Sequence, residues 1–199
     1  MLPFNKQEYY SNIPLLEEHA KENCTDSNSK NCLVLVHPYF CKLNGEYMSK
    51  VDEFETYSAN LDKIYNSKRK NLSIVLYEEP SHYAKLTSEL VEKHFFDKVI
   101  FTNGSCGDPY KKQELNYFSN KNIFVGGMYN GLCLSNAISE IKENTTARKI
   151  VPIKQISLNT WARMREQYTI FPNKVVFLTN SQMPLKTRNL DDFFNKFFE

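Results

Sequence analysis

The chain has 199 residues, 41% of them hydrophobic and 14% aromatic, a size and content that suit one α/β domain with a sizeable core. Its formal net charge is only +2, with both signs interspersed, so there is no basic block for phosphate backbones and nucleic acid is not an expected partner. The longest apolar runs fall far short of the ~20 residues that span a bilayer, so no membrane partner is expected either.

The opening stretch, MLPFNKQEYYSN, lacks a basic region followed by an apolar one and reads as no secretory signal. Cys24, Cys32, Cys41, Cys106 and Cys133 form no CxxC pair. Their odd number and irregular spacing argue against a disulfide framework, and a cytoplasmic location is the simplest expectation.

Residues 1–31 read as a polar extension, with a short helix at Tyr9–Ala20 and a turn-rich linker at Asn23–Asn31. Residues 32–199 read as a single Rossmann-like α/β domain. Its first strand is Cys32–Val36, ended by His37-Pro38, because proline has no N–H to pair. A helix follows over Val51–Tyr65, with Phe54, Tyr57, Leu61 and Ile64 at helical spacing. The second strand is Leu72–Tyr77, followed by Glu78, Glu79 and Pro80, and Ser81 is the expected N-cap of the next helix. The third strand is Lys98–Phe101, and Pro109 is placed at the start of a helix carrying Leu115 and Phe118.

The fourth strand, Ile123–Val125, runs into Gly126, Gly127 and Gly131, and then Cys133 opens a helix that buries Leu134, Ala137, Ile138 and Ile141. A fifth strand is expected at Lys149–Ile153 and a sixth at Lys174–Leu178. Between them a helix is expected around Thr160–Tyr168, where Trp161, Arg163 and Arg165 read as a solvated face or a lid. The stripe Leu190, Phe193, Phe194, Phe197 and Phe198 closes the chain as a one-sided helix. Near-continuous apolar strands alternating with amphipathic helices imply a three-layer α/β/α doubly wound sandwich around a six-stranded, mainly parallel sheet.

In such sheets ligands bind outside the carboxyl ends of the strands. The residues expected there are His37 after strand one, Glu78, Glu79 and His82 after strand two, and Asn103 and Cys106 after strand three. Strand four delivers Tyr129, Asn130, Gly131 and Cys133. A thiol, an imidazole and a carboxylate together are the parts of an activated nucleophile, and a helix N-terminus favours thiolate over thiol. The catalytic candidates are therefore Cys133, His37, Glu78 and Glu79. His82, Asn103, Cys106, Tyr129, Asn130 and Gly131 are the candidate substrate-binding residues. His19 and His94 lie in helical segments away from this rim and read as structural. A metal on His37, His82, Glu79 and Cys106 is chemically conceivable, but no tight ligand motif such as HExxH is present. No metal and no cofactor are assigned.

The strand–helix order, and GMYNGLCLSNAI with Gly127 six residues before Cys133, resemble the isochorismatase-like cysteine hydrolases, which include nicotinamidases and related amidases. The coarse likeness covers about residues 32–180, and the specific motif some fifteen of them. The resemblance implies a six-stranded parallel sheet, a cysteine nucleophile at Cys133 and a non-proline cis peptide near Tyr129-Asn130-Gly131. The family's triad is Asp, Lys and Cys, and only the cysteine is matched. His37 stands where strand one would end in Asp, and Asn103 to Ser105 stand where strand three would be followed by Lys. Zinc-binding members hold the metal after strand two, a place near His82.

Two functions follow as expectations. In the first, Cys133 attacks a small-molecule amide, ester or related C–N bond, His37 moves the proton, and Glu78 or Glu79 orients it. In the second, the fold is retained without catalysis as a small-molecule or protein binding module. The partner expected is a small molecule or, in the second case, a small molecule or a protein, with a homodimer through the aromatic C-terminal stripe as an alternative to packing of that stripe on its own sheet.

Overall fold

The computed structural model describes residues 11–25, 27–39, 51–103, 107–130, 132–159 and 186–199. The helix α1 spans Ile13–Asn23, with Pro14 in its first turn, where a missing N–H costs nothing; the expected start at Tyr9 lies outside the described residues. Strand β1 is Asn31–Val36 and helix α2 is Val51–Tyr65. Strand β2 is Ser73–Glu78, one residue longer at its carboxyl end than the apolar run suggests, because Glu78 still pairs with Phe101 of β3.

The following helical segment, α3, is composite: an α turn at Pro80–His82, a π turn at Tyr83–Thr87 and an α turn at Ser88–Glu92. Its N-cap is Glu79 and not Ser81, since Pro80 takes the first helical position. Strand β3 is Lys98–Phe101. The element after it is a 3₁₀ helix at Lys112–Phe118 and does not start at Pro109. Pro109 is held in a bridge with Thr102, and the Tyr110 N–H donates to Phe101 O at 2.7 Å, so the chain stays beside β3 before it turns.

Strand β4, Asn122–Asn130, continues well past Val125. Helix α4 is Cys133–Asn144, β5 is Lys149–Asn159 and α5 is Leu190–Phe197. The β5 strand likewise outruns the Lys149–Ile153 expectation: its register on β4 shifts between Val125 and Gly127, which lets the pairing resume beyond Pro152. The expected sixth strand at Lys174–Leu178, and the helix around Thr160–Tyr168, lie outside the described residues.

The five described strands form one all-parallel sheet in the order β3-β2-β1-β4-β5. Alternate residues of β1 enter different core clusters. Leu33 and Leu35 pack with α1, α2 and α5, whereas Cys32, Val34 and Val36 pack with α4 and the 3₁₀ helix. Helices therefore cover both faces, which is why the strands read as continuous apolar runs. The C-terminal stripe is used within the chain: Phe193 and Phe197 are buried, and both rings lie against Phe124. Among the described residues no helix is long and apolar enough to cross a membrane.

The order reverses between β1 and β4. From β1 the chain steps outward through β2 to β3, then returns to the other side of β1. The crevice at that switch point lies between the carboxyl ends of β1 and β4, which lead to His37 and Cys133 respectively.

Candidate functional site

His37 leaves β1 with φ of 43°, in the left-handed region, where an extended residue before proline is the usual outcome. Its N–H donates to Tyr77 O at 2.9 Å, so the backbone turns while still attached to β2. Non-glycine residues held in this region cluster at functional sites, because the surroundings must over-determine them. Here the surroundings include Glu78: His37 Nδ1–H donates to Glu78 Oε1 at 2.7 Å, and both side chains are fully buried.

Glu78 Oε1 also accepts from the Glu79 backbone N–H at 3.1 Å and lies 3.5 Å from His82 Nδ1. Burial pushes the Glu78 carboxyl up, but hydrogen bonds and charge from His37 and His82 outweigh it and hold the carboxyl below its ordinary value. In the neutral imidazole, an ionised Glu78 fixes the Nδ1–H tautomer of His37 and leaves the lone pair on Nε2. That Nε2 is buried and has no hydrogen-bond partner among the described residues, and neither does Glu78 Oε2. Buried polar atoms without partners are costly and uncommon, about 1–3 kcal/mol each, so a pair of them on hydrogen-bonded neighbours requires an explanation.

His82 completes the cluster. It sits at i+3 from Glu79 and i+4 from Glu78, the spacing that brings side chains to one helix face. Its Nε2 is 3.1 Å from Glu79 Oε2, and Ser81 Oγ donates to the same oxygen at 2.5 Å. The His37 and His82 rings meet edge to face with centroids 6.0 Å apart. His37, Glu78 and His82 can each present a ligand atom within 4.8 Å of the other two, and all three residues are buried. The π turn begins at the next residue, Tyr83, and such turns are frequent at functional sites.

No protein-family model, curated protein or solved structure matches the chain. The site is accordingly argued from its own geometry. Of the residues expected at the rim, His37, Glu78, Glu79 and His82 come together. The metal-ligand set considered from sequence included Glu79; the structure puts Glu78 beside both imidazoles and Glu79 behind His82. Ser81, expected as a cap, instead buttresses Glu79, and its position between Glu79 and His82 was the only local signal.

Cys133 is the first residue of α4 and is 8% exposed. It packs in the cluster that contains Val36, Tyr77 and Leu134. Its backbone is tightly enclosed: a Cβ on Gly107 would stand 2.3 Å from Cys133 O. Because His37 Nε2 carries no hydrogen bond, the thiol and the imidazole are not joined in this structure.

Tyr129 is buried, and Asn130 Nδ2–H donates to Asn159 Oδ1 at 2.7 Å, a partner not foreseen because Asn159 lay beyond the expected fifth strand. The Met128–Tyr129 peptide is cis, adjacent to the stretch where the resemblance places one. Asn103 is exposed, and its N–H donates to Asp108 O at 2.7 Å. Cys106 and Gly131 lie outside the described residues. A cavity of about 690 Å³ lined by Ser27, Asn31, Arg69 and Asn71 sits at the amino ends of β1 and β2, the opposite edge from this cluster. The carboxyl-end rule for parallel sheets favours the cluster over that cavity as the functional site.

Proposed function

We propose that this chain is a divergent isochorismatase-like cysteine hydrolase acting on a small-molecule amide, ester or related C–N bond. In this reading the His37–Glu78 pair takes the place of the family's strand-one acid. The observation that carries it is the 2.7 Å contact between His37 Nδ1 and the buried Glu78 carboxylate, with Nε2 left without a partner. A carboxylate that holds an imidazole in one tautomer, with the far nitrogen open, is what a general base requires.

The chemistry runs in two steps. Cys133 Sγ bonds to the carbonyl carbon while His37 Nε2 takes the thiol proton, across the substrate or through one water. The C–N or C–O bond then breaks, and the leaving group departs with the proton returned by His37. Water, deprotonated by the same nitrogen, attacks the thioester, and the acid and the thiol are released. Backbone N–H groups at the start of α4 face the developing oxyanion.

The test is a comparison of thiol reactivity with turnover. Near neutral pH, iodoacetamide is expected to label Cys133 faster than the other four thiols. Hydrolysis of p-nitrophenyl acetate is expected to vanish in Cys133→Ala and to fall by about 10²–10⁴-fold in His37→Asn. Labelling of Cys133 no faster than a model thiol, or ester hydrolysis indifferent to Cys133→Ala, removes the nucleophile.

A second reading has its own support: Cys133 packs in an apolar cluster and shares no hydrogen bond with His37. It makes the chain a non-catalytic module of the same fold that binds a small metabolite or a protein at this edge. Slow labelling of Cys133, together with a metabolite that raises the melting temperature, decides for it.

A further inference from the structure

We propose that the cavity at the amino ends of β1 and β2 binds a phosphorylated sugar, a small anion rich in hydroxyl groups. It is a second site, at the opposite edge of the sheet from His37, and it stands without the hydrolase reading. Its volume of about 690 Å³ suits a small-molecule ligand.

The walls are two short stretches, 27–31 before β1 and 69–72 before β2. Side chains tie them together. Ser29 N–H donates to Ser73 Oγ at 2.8 Å, Ser29 Oγ–H donates to Asn71 O at 2.6 Å, and Ser73 Oγ–H donates to Ser27 O at 2.9 Å. The walls are therefore fixed before a ligand arrives, and binding costs little further ordering. Asn28, Lys30 and Asn71 also line the cavity, yet their side chains make no hydrogen bond or ion pair with the described residues. An amide both donates and accepts, as a sugar hydroxyl does, so the two asparagines match a polyol. Asn71 is held at φ of 48°, a left-handed conformation that asparagine tolerates. Leu72 is the one apolar residue of the lining, and no aromatic ring is among the residues that form it. A flat base has nothing to stack on here, which favours a sugar over a nucleotide.

Charge supplies the phosphate end. Arg69 is fixed by Phe95 O at 2.7 Å and Asp97 Oδ1 at 2.9 Å. Behind the wall, Lys121 is buried with its Nζ 3.2 Å from the centre of the Tyr117 ring, and the Tyr117 hydroxyl donates to Ser27 O. Lys121 Nζ has no hydrogen-bond partner among the described residues. Asp97 faces both Arg69 and Lys121, so these two cations share one counter-charge, and Lys30 has none among the described residues. An anion in the cavity restores the balance.

The experiment is calorimetric titration of the full chain at low salt with ribose 5-phosphate, ribose, inorganic phosphate and AMP in turn. Ribose 5-phosphate is expected to bind with a Kd below about 1 mM, and ribose and inorganic phosphate at least about tenfold more weakly, since each lacks part of the contacts. AMP is expected to bind no more tightly than ribose 5-phosphate. Lys30→Ala is expected to weaken ribose 5-phosphate by at least about tenfold, and raised salt to weaken it as well. Asn71→Gly keeps the left-handed backbone and removes the amide, and a loss of about fivefold is expected. Lys112→Ala, whose ammonium is held by Asp108 and Glu140 outside the cavity, is expected to bind as the wild type does, and so is Cys133→Ala. No heat with ribose 5-phosphate up to about 10 mM overturns the site. Lys30→Ala that binds with wild-type affinity overturns it too, as does binding that disappears in Cys133→Ala, which would put the ligand at the other edge of the sheet. Inorganic phosphate as tight as ribose 5-phosphate, or AMP at least about tenfold tighter, overturns the sugar assignment.

Discussion

Gly127→Ala is expected to prevent the chain from reaching its native fold. Gly127 pairs with Val36 at the centre of the sheet, where β1 meets β4. Its φ is 124°, a conformation that residues with a Cβ rarely adopt. A Cβ there would stand 2.0 Å from Val36 O and 2.6 Å from Val36 N. Both are backbone atoms of the neighbouring strand, so no side chain can swing aside to relieve the clash. Relief requires β1 and β4 to separate, and both cores are built on that pair of strands. A cost on the order of 5 kcal/mol compares with the whole stability of an ordinary domain, about 5–15 kcal/mol. The check is soluble yield and thermal unfolding followed by circular dichroism. A melting temperature within a degree or so of the wild type would show that the sheet can yield at this point.

Glu78→Gln keeps the shape of the side chain and removes its charge, and it is expected to lower stability by about 3–5 kcal/mol at neutral pH, the range for breaking a buried pair on one side. The wild-type carboxylate accepts from His37 Nδ1 and from the Glu79 N–H, and His82 stands 3.5 Å away. The amide accepts more weakly and brings an NH₂ group among donors. The pH dependence carries the sharper signature. The folded carboxyl titrates below its ordinary value because the two imidazoles outweigh burial. A lowered folded value means that the unfolded chain binds the proton first as pH falls, so the stabilisation is complete above the ordinary carboxylate value of about 4.3 and is lost as pH drops through the folded value. Urea unfolding at a series of pH values is expected to show wild type and Glu78→Gln far apart at pH 7 and converging in acid. Curves that keep the same separation throughout would mean that the charge of Glu78 contributes nothing.

These two residues also mark the boundary between what was legible in the chain and what was not. Gly127 stood out as part of a glycine pair directly after an apolar run, which reads as the turn between a strand and a helix; the structure keeps both glycines inside β4, where they pair with β1. Glu78 was legible as a residue near the rim, but a charged residue after an apolar run reads as a loop. It remains in the strand because it pairs with Phe101 of β3, and its side chain meets His37 and His82, all beyond the reach of a local window. His37 shows the same limit. Its proline neighbour predicts an extended backbone, and contacts distant in sequence, with Tyr77 O and with Glu78 41 residues away, accompany the left-handed turn that is found. Local pattern also missed the length of β4 and β5, since a register shift lets pairing resume where the apolar run is broken.

The amino-acid sequence by itself determined the alternation of strands and helices and the helix that begins at Cys133. Those features are set by periodicity, proline and glycine, which act over a few residues. Tertiary structure alone decided that Glu78, and not Glu79, holds His37, that His82 joins them, and that the thiol of Cys133 shares no hydrogen bond with the imidazole. Those outcomes depend on strand order and on which face each side chain takes at a strand end, where a shift of one residue exchanges the two carboxylates.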